Sequence, residues 1–244
     1  MHLKALLPAS LIEFPGHIAD VLWVGACNFR CPYCYNVDLV LRPGQLPNID
    51  PADILRQLAG RRSFVDGVVI SGGEATLQPG LVDFMREIGQ LGLALKLDTN
   101  GYRPDVLAQC LRQQVVQYVA MDLKSSLDRY ELAAGVPLEP ERIRESVSLL
   151  LRSQVDHEFR TTVVPALVEG EDIKAIAQLI SGAKRYYLQC FQPGPTVGWG
   201  SHSPVGAPHA DTLRDMADVA ANYVEEVGIR GLPPTGAHGN AHPR

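Results

Sequence analysis

The chain has 244 residues, and none of its apolar runs approaches the ~20 that a membrane span needs. No block of Lys and Arg interleaved with aromatics is present, and the net charge is −5. A nucleic-acid partner is therefore not expected. Met1-His2-Leu3-Lys4 lacks the pattern of a signal peptide. Cysteine is scarce: there are five, an odd number, which does not suit a disulfide framework and fits a reducing, cytoplasmic setting. No internal repeat and no further cysteine-rich insert is visible. Hydrophobic residues make up 46% and charged residues 20%, enough for one large α/β domain with a substantial core.

What cysteine there is lies together. Cys27, Cys31 and Cys34 fall within eight residues, spaced C-x3-C-x2-C, in a stretch whose Asn, Arg and Pro mark it as a loop. Thiolates are soft ligands for iron–sulfur clusters, zinc or copper(I). Structural zinc and ferredoxin-type sites normally take four protein ligands, and here the local count stops at three. A 4Fe–4S cluster held by three cysteines keeps one iron free, which implies chemistry at that iron. Two plainer readings compete. Cys31-Pro32-Tyr33-Cys34 alone matches a glutaredoxin dithiol, with a Thr162–Pro165 run faintly like that fold's proline loop, but Cys27 is then unexplained. A zinc knuckle would need a distant fourth ligand. Cys110 and Cys190 sit in apolar surroundings and read as buried, inert thiols.

Along the chain, strands alternate with helices. The spacing predicts strands over 18–24, 65–70, 93–97, 118–121, 158–164 and 185–191. Helices are predicted over about 51–61 (Asp50 as N-cap), 80–91, 104–113, 140–153, 171–181 and 208–227. Residues 3–16 form a lead-in, with room for a short strand pair. Alternation of this kind implies a parallel sheet with helices outside. Six units are too few to close an eight-stranded barrel. The expected fold is α/β, an open partial (β/α)6 TIM-like barrel, as a single domain over 1–231 with a disordered tail over 232–244.

In parallel α/β folds ligands bind at the carboxyl ends of strands, and the unusual polar clusters fall at those ends. Ser71-Gly72-Gly73-Glu74 follows the second strand; its glycines let a ligand approach the backbone, and Glu74 can hold an ammonium. A plain βα turn is the alternative. Asp98-Thr99-Asn100-Gly101 follows the third strand and reads equally well as an Asx-capped turn. Asp122 and Lys124 follow the fourth. Arg160 stands in a strand interior, where an unpaired Arg is rare, so a ligand carboxylate or an internal acid is expected beside it. Gln192 follows the sixth.

Together these motifs resemble the radical S-adenosylmethionine (radical SAM) superfamily. The carriers are C-x3-C-x-aromatic-C, with Tyr33 as the aromatic, and Ser71-Gly72-Gly73-Glu74, where Ala75 replaces the usual proline. The resemblance implies a 4Fe–4S cluster on Cys27, Cys31 and Cys34, whose open iron chelates S-adenosylmethionine and whose electron releases a 5′-deoxyadenosyl radical. The Gly-Gly-Glu run then binds the methionine amino group. Leu97–Gly101 and Val119–Lys124 are similar to glycyl-radical-enzyme activases. That likeness implies a monovalent cation at Asp98, Thr99, Met121 and Asp122 and a cofactor carboxylate at Lys124. Tyr33, Tyr35, Gly72, Gly73, Glu74, Asn100, Asp122, Arg160 and Gln192 are the other implied cofactor contacts. Gln192 stands where the pyruvate formate-lyase activase has histidine and is expected at the cofactor ribose. Gly25–Cys34, Lys96–Gly101 and Phe159–Pro165 are most similar to the activating protein of the anaerobic ribonucleoside-triphosphate reductase, in which Tyr35 is commonly histidine. A glycyl radical enzyme as protein substrate and a flavodoxin- or ferredoxin-type electron donor are the implied partners. A radical SAM enzyme acting on a small molecule or peptide is the alternative.

Overall fold

The computed structural model describes residues 1–232. One eight-stranded sheet in the order β1 to β8 organises it. The strands are β1 (Leu3–Ser10), β2 (Ala19–Val24), β3 (Gly67–Gly72), β4 (Ala94–Thr99), β5 (Tyr118–Asp122), β6 (Asp156–Val163), β7 (Arg185–Cys190) and β8 (Glu226–Arg230). β1 runs antiparallel to β2, and every later pair is parallel. The helices are α1 (Val37–Leu41), α2 (Pro51–Arg61), α3 (Leu81–Gln90), α4 (Pro104–Arg112), α5 (Tyr130–Ala134), α6 (Pro140–Leu151), α7 (Gly170–Leu179) and α8 (Ala210–Ala220). Local chemistry sets several helix starts. Asp50 accepts from Ala52 N at 2.8 Å with Pro51 in the first turn, and Glu169 and Asp172 form a capping box on α7.

The expected open α/β barrel is present, and β2–β7 are the six expected strands. Two differences matter. The lead-in is a full strand, β1, on the edge of the sheet. The predicted last helix stops at Ala220, and its final residues begin β8. Val224 and Val227 continue the helical spacing of α8, which hid a five-residue strand. Of the predicted tail, 232–244, residues 233–244 lie outside the described residues.

Period-two alternation splits the strand residues between two faces. Leu22 and Val24, Val68 and Ile70, Leu95 and Leu97, Val119 and Met121 belong to the large apolar core that packs beneath the helices. Their neighbours face inward. There, Phe14, Ala19, Val21, Val69, Tyr118 and Ala120 form a second, smaller cluster. Phe14 precedes β2, yet its ring centroid lies 5.9 Å from that of Tyr118 on β5, so the sheet curls on itself. The sheet remains open, since β1 and β8 are not paired. Among the described residues no helix is long and apolar enough to cross a membrane.

Candidate active site

At the carboxyl end of the sheet a cavity encloses about 840 Å³ of empty space, part of it open to solvent. Cys27, Cys31 and Cys34 line it together with Tyr33 and Tyr35. The β3 turn contributes Gly72, Gly73 and Glu74, and the β4 end contributes Asp98, Thr99 and Asn100. Asp122, Lys124 and Arg160 complete the wall. Segments far apart in sequence thus meet at one point. Gln192 and Met121 do not line it.

The cysteine loop is held from below by the β3 turn. Gly73 N donates to Val24 O at 2.9 Å, and Glu74 N donates to Ala26 O at 2.8 Å. Ala26 itself adopts φ 72°, a left-handed conformation unusual for alanine. A Cβ on Gly73 would overlap the Ala26 carbonyl. The expected close approach at Gly73 is therefore made, in this structure, by the cysteine loop.

Glu74 differs from its expected role as an ammonium ligand. It is buried, and its carboxylate accepts from Thr76 N (3.0 Å), Thr76 Oγ1 (2.5 Å), Thr99 Oγ1 (2.8 Å) and Asn100 N (2.8 Å). Burial raises its carboxyl above the ordinary value, and these donors partly offset that. The side chain braces the β3 turn to the β4 end, which leaves the backbone of the turn as the surface for a ligand. Asn100 extends the brace, donating from Nδ2 to Asn28 Oδ1 at 2.9 Å, beside Cys27.

The expected cation site is also different. The Arg160 guanidinium lies between the two acids, 2.7 Å from Asp122 Oδ1 and 3.6 Å from Asp98 Oδ2. Lys96 meets Asp98 at 2.7 Å, and Lys124 meets Asp122 at 3.2 Å. Thr99 donates to Glu74; at Met121 the expected ligand is the backbone carbonyl, and its side chain packs on the outer face against Gly101. Lys96, Lys124 and Arg160 already pair with the two carboxylates expected at the cation site. Arg160 thus takes the internal-acid option of its two expected partners. Gln192 is turned away from the cavity: its Nε2 donates to Gly231 O at 2.9 Å. Tyr35 reaches it instead, with Tyr35 Oη donating to Gln192 O (2.7 Å) and accepting from Gln192 N (2.9 Å).

The Cys31–Cys34 pair alone would suit a dithiol, but Cys27 lines the same cavity beside it. Burial, reinforced by Glu74, pushes Cys27 up to about 12. Burial pushes Cys31 up to about 11, against the nearby Lys124. Nor does a single metal ion fit. Among the described residues no three His, Cys, Asp or Glu side chains converge as ligands of one ion. A four-iron cluster asks for something else, since each thiolate takes its own iron and the sulfurs stand apart around a volume. Three cysteines around one cavity suit that demand. The buried Tyr33 hydroxyl in the same wall has no protein partner.

Sequence reading assigns no role to the side chains of Asn28 and Asn36, and takes Ser71 only as part of the Ser71–Glu74 run. Asn36 Nδ2 donates to Gly72 O at 2.8 Å, and Ser71 Oγ donates to Asp98 Oδ2 at 3.0 Å. Asn28 and Asn36 are small polar residues in loops, and no local pattern marks their side chains.

Comparison with known proteins agrees with this geometry. The radical SAM superfamily profile matches residues 21–181, and the chain belongs to that superfamily. Membership implies a 4Fe–4S cluster and S-adenosylmethionine. A Methanocaldococcus jannaschii protein, provisionally named a glycyl-radical enzyme activating enzyme, is 29% identical over 95% of this chain and 97% of its own length. A GTP 3′,8-cyclase of Crocosphaera subtropica is 31% identical over 64% of this chain and 49% of its own. Among solved structures, Streptococcus suis SuiB bound to S-adenosylmethionine superposes with a TM-score of 0.64 at 15% identity, covering 84% of this chain and 48% of that one. Escherichia coli QueE gives 0.55 at 15%, covering 94% and 93%. At such identities the structures speak for the fold alone.

Proposed function

We propose that this radical SAM enzyme activates a glycyl radical enzyme, with the anaerobic ribonucleoside-triphosphate reductase as the first candidate, in the cytoplasm and with a flavodoxin- or ferredoxin-type electron donor. Cys27, Cys31 and Cys34 would hold the cluster. The β3 turn and Lys124 would hold the methionine end of S-adenosylmethionine, with Tyr33 and Asn100 in the same wall. When bound, the two cofactors supply a hydrogen-abstracting radical. The chain's own residues bind and orient them and exclude water.

The observation that carries a protein substrate is the relationship, over nearly the full length of both chains, to the Methanocaldococcus jannaschii protein provisionally named a glycyl-radical enzyme activating enzyme. Beneath the cavity, Lys96, Asp98, Arg160 and Glu158 pair across the inner face, and Arg230 on β8 grips Glu158 with two bonds of 2.8 Å. These pairs fill the inner face beneath the cavity. A target hydrogen must come within ~3–3.5 Å of the reacting atom, and an exposed loop of another protein can bring one to the mouth of the cavity.

The test mixes the reduced, reconstituted protein and S-adenosylmethionine with candidate glycyl radical enzymes. A glycyl electron paramagnetic resonance signal on the anaerobic reductase is expected, and Cys27→Ala, Cys31→Ala and Cys34→Ala should each abolish it. A signal only on a pyruvate formate-lyase-type enzyme would change the target. No signal, with modification of a small molecule or peptide instead, would overturn the activase reading.

Lys124 offers a separate check on cofactor binding. Its side chain is mostly buried in the cavity wall, and burial, which opposes its charge, is outweighed by Asp122, so it stays protonated. Lys124→Ala should weaken S-adenosylmethionine binding by ~1.5–3 kcal/mol, the range for a hydrogen bond to a charged group. Calorimetry on the reconstituted variant measures this. Unchanged affinity would remove Lys124 from the cofactor site.

A further inference from the structure

The segment that follows β7 lies beyond the matched family region, which ends at residue 181. It folds back onto the cysteine loop. Thr196 and Gly200 exchange backbone hydrogen bonds, closing a tight turn. From this turn Val197 N donates to Cys34 O at 2.9 Å, and Gly198 N donates to Pro32 O at 3.0 Å. Both acceptors belong to the Cys31–Cys34 half of the loop. The approach is close: a Cβ on Gly198 would stand 2.6 Å from Pro32 Cα and 2.7 Å from its Cβ. At the base of the segment, Tyr35 bonds both the N–H and the C=O of Gln192 through its hydroxyl. Its ring stacks on Phe191 at 6.0 Å and 11°, and Trp199 packs edge-on against the other side of the group at 5.8 Å and 79°. Gln192 in turn is tied to the end of β8 through Gly231.

We propose that residues 191–200 are a clamp that positions the Cys31–Cys34 half of the cluster loop and limits water access to it, with Tyr35 and Gly198 as its positioning residues. The inference rests on the assignment of the 4Fe–4S cluster to Cys27, Cys31 and Cys34. The β3 turn fixes the Cys27 half of the loop, through Val24 and Ala26. Without the clamp, the internal bond from Cys34 N to Cys31 O at 3.1 Å is the main hydrogen bond closing the second half. Outer partners that orient metal ligands govern retention of the metal, and hydrogen bonding and solvent exposure tune iron–sulfur clusters. The buried Phe191, flanked by Tyr35 and Trp199, supplies the exclusion of water, and the two amides supply the orientation.

The experiment uses the full chain, reconstituted without oxygen, in wild-type, Tyr35→Phe and Gly198→Ala forms. Two quantities are read: the rate of iron loss to an iron(II) chelator, and the electron paramagnetic resonance spectrum of the dithionite-reduced cluster. Tyr35→Phe, which removes one oxygen atom, should release iron on the order of 10-fold faster, and Gly198→Ala up to about 100-fold faster, the range for loss of outer-shell support. Both should alter the spectrum while Tyr35→Phe keeps the wild-type thermal midpoint. Should Gly198→Ala fail to fold, Tyr35→Phe decides alone. Wild-type release rates and spectra in the folded variants would overturn the clamp. A wild-type protein that takes up no cluster, or keeps one after Cys27→Ala, would overturn the cluster assignment instead.

Discussion

Gly73→Val is expected to leave the protein with almost no cluster. The wild-type chain should take up about four irons, as a 4Fe–4S centre requires. The cause is steric and lies within the chain. Any Cβ at residue 73 overlaps the carbonyl oxygen of Ala26, the residue before Cys27. Ala26 cannot yield easily, because its carbonyl accepts from Glu74 N, its N–H donates to Leu39 O at 2.8 Å, and its backbone already sits at positive φ. Overpacking a tight contact typically costs 1–3 kcal/mol, and here the displaced group carries a cluster ligand. Iron analysis after anaerobic reconstitution is the measurement. Cys110→Ala and Cys190→Ala, at buried thiols that face the helix layer, should keep the wild-type iron content. Full iron content in Gly73→Val with loss of S-adenosylmethionine binding alone would mean that the turn serves only the cofactor.

Arg160→Leu should be the most destabilising single change on the inner face, by about 3–5 kcal/mol, the cost of removing one partner from a buried ionic group. Arg160 is 8% exposed and faces Asp122, Asp98 and Glu158. Its loss leaves Asp98 with Lys96 alone and Asp122 with Lys124 alone, and removes the one cation that bridges the two carboxylates. Denaturant unfolding of wild type and variant measures the difference, and a loss below about 1 kcal/mol, the size of a surface pair, would refute it. The pH dependence has a definite sign. Burial raises the Asp122 carboxyl, but Arg160 and Lys124 outweigh it and hold it down to about 2. A carboxyl depressed in the folded state stabilises above its unfolded value near 3.9 and loses that contribution as pH falls through the folded value. The wild-type advantage over Arg160→Leu should therefore persist at neutral pH and shrink as pH drops from about 4 towards 2.

These expectations draw on different levels of the molecule. The three-cysteine loop and the strand-end positions of Gly72–Gly73, Asp98–Asn100, Asp122 and Lys124 were legible in the chain, because spacing within one loop and alternation along one strand are local properties. So was the open parallel sheet. The last strand was not, since Val227, which belongs to β8, continues with Val224 the helical spacing of α8. What the local pattern could not contain is the partner of each polar group. Glu74 reads as a ligand contact, and the structure adds that Thr76, Thr99 and Asn100 hold its carboxylate. Asp98 and Asp122 read as a cation cage until Arg160, from a strand much later in the chain, is seen between them. Gln192 reads as a cavity residue until the turn after β7 points it at Gly231, and the contact that matters there joins residues 157 positions apart. The sequence by itself determined which residues are chemically able to hold a three-cysteine cluster and at which end of the sheet they would gather. Only the tertiary structure decided which of them face the cavity and which are consumed in bracing it, because a buried charge or amide is committed by whichever long-range partner desolvates it, and that partner is set by packing.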